Sequence, residues 1–193
     1  RRRQRQMCIR DSPTIHEGGL MGSYPEQSLK QIKPFSILFY KASFRQSKIG
    51  WLIRKVTGDE VNHVGWYLGK WRGFRLCYES DDKGPSVNEF NSRYLPTYVG
   101  YFREPLSIKE KTKLLGEFRK LKDRRYDWIR LFGFHFGLNS TKRILCTELV
   151  IEPLRAIGRD IRRDNDKPQG LFESPDLVIY RIVSDGVRVG QEL

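Results

Sequence analysis

Cysteine is scarce in this chain, with three in 193 residues. Cys8 lies in a basic leader, and Cys77 and Cys146 do not form a disulfide framework or a zinc signature. A reducing compartment is the simpler reading, with the cytoplasm as default location. No apolar run approaches the length that crosses a bilayer, and the basic N-terminus is not followed by the apolar stretch of a signal peptide. Neither a membrane span nor export is therefore expected. There is no P-loop, no dinucleotide-binding glycine motif and no metal-ligand spacing, so neither a cofactor nor a metal is expected. Internal repeats, low-complexity tracts and linkers are missing as well.

What is present suits one globular domain. Hydrophobic residues make up 38% and aromatics 12% of the chain, enough for a core and too many for wholesale disorder. The net charge of +13 suggests nucleic acid until its origin is traced. The first twelve residues, RRRQRQMCIRDS, hold five arginines against one aspartate and so supply +4 of it. Residues 2–12 back-translate to a string that resembles a transposon-based sequencing adapter read in frame. Residues 1–12 are therefore read as a non-native leader, ahead of a nucleic-acid arm or a targeting tail. The remaining +9 is spread without a block, which disfavours nucleic acid as partner and leaves an anionic envelope polymer open. Residues 13–33 read as a loose lead-in and 34–193 as a single domain.

Within that domain FSILFYKA reads as a buried strand. SKIGWLIRKVTG reads as a helix with Ile49, Leu52, Ile53 and Val56 on one face and Gly58 as its stop. VNHVGWYLG and FRLCYES read as hairpin strands joined by the four-residue link KWRG, and TYVGYFRE as a further strand. A helix is expected from Ser107, where Ser-Ile-Lys-Glu forms a capping box. WIRLFGFHFG reads as a short helix and loop. LCTELVIEPLRAIG places Cys146, Leu149, Val150, Leu154 and Ile157 on one helical face, with Pro153 expected to kink or end it. FESPDLVIYRIV reads as a turn and a last strand. The fold class is α+β.

Alternation along the hairpin puts His63, Gly65 and Tyr67 on one face, and Arg75, Cys77 and Glu79 on one face of the partner. His63 at the start of its strand can then lie beside Glu79, the arrangement in which a carboxylate fixes an imidazole tautomer. Cys146 begins a helix, where unpaired N–H groups and the helix dipole favour a thiolate, as does a neighbouring imidazole. Taken singly, a helical cysteine is more often a small buried hydrophobe than a nucleophile. Cys77, in mid-strand, is read as structural, His135 as packed or surface-exposed, and Glu148 as a first-turn carboxylate. Tyr67 and Tyr126 are the candidate substrate-binding residues.

Order and context add what the parts lack. NHVGWYLG, then CYES, then YDW and RILCTELV, with SPDLV closing the domain, resemble the circularly permuted papain-like amidases. These are the YiiX-like branch of the NlpC-type cysteine peptidase superfamily. The resemblance runs from about Pro34 to Arg181. It departs from the family at the entry strand, which lacks a Gly-Asp-Ile-type turn, and at Ile144 and Leu145, where an aromatic is common. It implies a permuted papain-like fold, an antiparallel sheet packed against the helix that carries the cysteine. It also implies Cys146 as nucleophile, His63 as base and Glu79 as orienting residue. The expected activity is thiol hydrolysis of an amide (a peptide, isopeptide or cell-wall cross-link) through an acyl-enzyme. A lipid or thioester acyl hydrolase or acyltransferase on the same triad is the alternative, and the partner is then a peptide-like or acylated substrate. A noncatalytic binding module and a basic nucleic-acid binder are the rivals from other classes.

Overall fold

The buried run Ser36–Tyr40 forms β1, covered along its whole length. A continuous β-prone apolar stretch is satisfied only where both faces of a sheet are packed. The computed structural model describes residues 31–41, 51, 54–55, 58–81, 83–89, 95–127, 143–162, 167–183 and 186–189. β1 pairs antiparallel with β2 (His63–Trp71) on one side and β5 (Tyr98–Phe102) on the other. β2 turns into β3 (Phe74–Asp81) through Arg72 and Gly73 alone, so the link is two residues and Lys70 and Trp71 belong to the strand. Both turn residues have positive φ, 49° and 91°, the twist that two-residue hairpins require.

β4 (Gly84–Glu89), β8 (Leu177–Val183) and β9 (Gly186–Val189) complete a seven-stranded sheet in the order β4-β3-β2-β1-β5-β8-β9. Every neighbouring pair in it is antiparallel. β4 opens Gly-Pro, a turn signature, and so escapes a sequence reading. A small parallel sheet joins β6 (Arg125–Tyr126) to β7 (Arg143–Ile144).

α1 (Ile108–Leu121) starts with the expected capping box, Ser107 and Glu110 each bonding the other's backbone N–H, and buries Leu114, Phe118 and Leu121. α2 (Glu148–Ala156) packs on α1 and β2, and α3 (Pro168–Phe172) is short. The helices cover one face of the sheet, where Ile37, Phe39, Val64, Trp66 and Tyr78 meet Leu114, Phe118, Leu149, Leu154 and Leu171. Leu38, Tyr40, Tyr67, Cys77, Val99 and Ile182 form a second cluster. The fold is α+β, with an antiparallel sheet against the helix that follows Cys146. Trp51, Arg54 and Lys55 are helical, and Gly58, at φ 74°, closes that turn with its N–H on the Arg54 carbonyl at 2.9 Å. Ile49, Leu52, Ile53 and Val56, the leader 1–12, most of the lead-in and WIRLFGFHFG with His135 lie outside the described residues.

α2 runs through Pro153 to Ala156, so the proline does not end it. Proline lacks the N–H that would bond the carbonyl four residues back, that of Leu149. The buried Trp66 indole takes the vacant place, donating from Nε1 to the Leu149 oxygen at 3.1 Å. Trp66→Phe is expected to cost about 2–4 kcal/mol in urea unfolding, a lost bond to a buried carbonyl plus a cavity. In a Pro153→Ala background, where the helix regains its own donor, the same change should cost less. Equal cost in both backgrounds would show that the indole does not substitute for the missing helical bond.

Candidate active site

β2 carries two jobs on its two faces. Val64 and Trp66 point into the helix-side core, while Tyr67 points to the other side. His63, its first residue, pairs with Tyr40 of β1, and the Asn62 N–H bonds the Tyr40 carbonyl at 3.1 Å. The approach to His63 is pinned by Gln169 of α3, whose Oε1 accepts from the N–H groups of Glu60 and Val61.

Trp66 faces Tyr78 and Tyr67 faces Cys77, so continuing the register sets Gly65, rather than His63, opposite Glu79. His63 is the diagonal neighbour. Gly65 makes the diagonal reachable: a Cβ there would lie 2.6 Å from Glu79 Cγ, so the glutamate stem occupies the space of the missing side chain. The Glu79 Oε2 then stands 3.7 Å from His63 Nε2, an ion-pair distance. Its Oε1 accepts a hydrogen bond from the Tyr40 hydroxyl, whose ring lies 5.3 Å from the imidazole, centroid to centroid. Tyr40 and Gly65 escaped the sequence reading. Their signal is the register between strands, which no single strand displays.

Cys146 lies in the turn ahead of α2 and is buried, 5% exposed. That turn is closed by Glu148, whose carboxylate accepts from the Leu145 N–H at 2.8 Å, while the Leu149 N–H bonds the Leu145 carbonyl at 3.1 Å. Glu148 thus does more than complement the dipole. Cys77 is a buried free thiol that donates to the Asn88 carbonyl and also interacts with Glu79. Tyr67 is packed in the second core, about 13 Å along β2 from His63. Tyr126 pairs in β6 with Ile144, two residues ahead of Cys146; its side chain lies outside the described residues.

The electrostatics follow from this packing. Burial alone would lower the His63 pKa, but hydrogen bonding and charge from Cys146 and Glu79 override it and push it up to about 10. Burial would raise Glu79, yet His63, Tyr40 and Cys77 as donors hold it below the ordinary glutamate range. Burial, then the Glu79 charge, raises Tyr40 well above an ordinary tyrosine. The site is therefore a charged imidazole between the sulfur of Cys146 and an ionised carboxylate.

No protein-family model matches the chain, and no curated protein does. Among solved structures, the fold is similar to that of the metalloprotein yiiX from Escherichia coli O157:H7. The TM-score is 0.55 at 18% sequence identity, over 77% of this chain and 96% of that one. At that identity the likeness is one of architecture.

The charge pair makes stability depend on pH. The raised His63 pKa contributes fully below about 6.5 and is lost as pH rises through about 10. The lowered Glu79 pKa contributes above about 4.3 and is lost on further acidification. The stability gap between the native chain and Glu79→Gln should therefore be widest between those two ordinary values and shrink towards pH 10. Urea unfolding across that range measures it, and a gap that does not vary with pH would remove the ion pair from the account.

Proposed function

We propose that this chain is a thiol hydrolase of permuted papain-like fold, belonging with the NlpC-type cysteine peptidases. Cys146 is its nucleophile, His63 its base and Glu79 the residue that orients the base. The observation that carries this reading is a single imidazole shared between a thiol at the opening turn of α2 and a carboxylate on β3. With Nε2 turned to Glu79, Nδ1 is left for the thiol. Three residues from three elements converge on one proton path, which a structural histidine does not need.

The reaction is acyl transfer to sulfur. The charged His63 already holds the proton that Cys146 gives up, and the thiolate forms a bond to the substrate carbonyl carbon. The N–H groups of the turn that opens α2 hold the oxyanion. The C–N bond breaks as the amine departs with the proton from His63. Water, deprotonated by the same imidazole, then cleaves the thioester and restores the Cys146 sulfur beside a charged His63. An amide is the favoured bond because that is the chemistry of the family the sequence resembles; a lipid ester or thioester is the other arm of the test.

The structural neighbour is titled a metalloprotein. Among the described residues no group of three or more His, Cys, Asp or Glu side chains is placed to hold a metal ion. Around Glu79 the donors are His63, the Tyr40 hydroxyl and the Cys77 thiol, which satisfy a carboxylate and do not make a ligand set. These described residues do not fit a metal centre, and no step is routed through one.

Iodoacetamide labelling of Cys146 followed by mass spectrometry tests the reading. Labelling should be fast below neutral pH and fall at least about tenfold in His63→Ala, since the thiolate is the reacting species. Labelling no faster than that of a free thiol, and unchanged by His63→Ala, would favour a noncatalytic binding module. With an activated thiol established, paired amide and thioester substrates decide the bond.

A further inference from the structure

The four residues around the carboxylate form one unit. Tyr40 and His63 are register partners on adjacent strands, so their side chains leave the sheet side by side. Glu79 reaches them from the third strand only by lying across Gly65. One carboxylate oxygen meets the Tyr40 hydroxyl and the other faces His63. Tyr40 is 6% exposed and packs with Leu38, Tyr67, Val99 and Ile182. That packing requires the ring alone; a phenylalanine would fill the same space. The hydroxyl is the part that packing does not explain, and its bond goes to Glu79.

We propose that Tyr40 is a positioning residue of this site: its hydroxyl clamps Glu79 in the slot left by Gly65, and through Glu79 it holds the His63 imidazole in its working pose. The catalytic consequence rests on the thiol-hydrolase reading above; the clamp itself does not. A side chain carboxylate with one free oxygen can rotate about its last bond. A fixed donor on Oε1 leaves Oε2 with one direction to face. Tyr40 suits the task because burial and the neighbouring charge keep its proton in place throughout the pH range in which an imidazole works. The titratable groups facing this centre are Tyr40 from β1, Cys77 from Glu79's own strand, and Cys146 from the turn before α2. Among these, Cys77 also lies against the carboxylate, but its single S–H is donated to the Asn88 carbonyl.

A double-mutant cycle on the titration of His63, followed by NMR, tests the clamp. Tyr40→Phe should lower the His63 midpoint by about one pH unit, tenfold in proton affinity. Glu79→Gln should lower it further. Tyr40→Phe added to Glu79→Gln should change nothing more, because a residue acting through Glu79 has no effect once the carboxylate is gone. Gly65→Ala, which drives a Cβ into the glutamate stem, should reproduce the drop in a chain that keeps Tyr40. A midpoint unchanged or raised in Tyr40→Phe, or equal shifts with and without Glu79, would overturn the proposal. The titration does not depend on a reactive thiol. A coupled cycle with an unreactive Cys146 would therefore retain the clamp and discard the hydrolase, and an uncoupled cycle with a reactive Cys146 would do the reverse.

Discussion

The bond from the Trp66 indole to the Leu149 carbonyl is the constraint on which the arrangement rests. α2 contains a proline, and its missing N–H leaves an acceptor in the first turn of the helix, facing the sheet. A buried acceptor without a donor is costly, so the helix is stable in the seat where β2 supplies one. That seat sets where α2 begins, and therefore where the turn holding Cys146 lies relative to the first residue of β2. Nearby, Arg124 reinforces the seat with two bonds to the Glu152 carboxylate, at 2.7 and 2.8 Å. One strand thus seats the helix with its even residues and presents the histidine at its start.

The second constraint is electrical. A carboxylate taken mostly out of water stays ionised only with donors around it. Glu79 has them from three strands, and Gly65 provides the room. The imidazole is drawn to the charged state by two neighbours that each favour it. The cost of collecting these groups is met by the packed sheet around them, with Tyr67, Cys77 and Val99 covered on the same side as Tyr40. The chain's large positive charge plays no part in this centre, whose charged members are one imidazole and one carboxylate.

Architecture and chemistry carry different weight. The likeness to yiiX concerns how strands and helices are arranged, and a shared arrangement hosts many activities. The proposed activity stands on the site, where sulfur, imidazole and carboxylate come from the turn before α2, from β2 and from β3. Its members interact with one another among the described residues.

Much of this was legible in the sequence, for local reasons. The Ser107 capping box, the buried run of β1, the Gly58 stop and the apolar face of α2 depend on neighbours three or four positions away. The alternation of β2 put His63 and Glu79 on matching faces, and the position of Cys146 ahead of an amphipathic helix marked it as a candidate. The two-residue turn was misread and the whole of β4 was missed, because each is decided by a partner segment. Tyr40 and Gly65 show the same limit. An isolated tyrosine in an apolar strand and a glycine in the next look like packing and punctuation. Only strand register sets the tyrosine beside the histidine and the glycine beneath the glutamate. Sequence determined which groups were available and which way each faced along its own element; tertiary structure decided which of them meet, since register and helix seating are long-range properties.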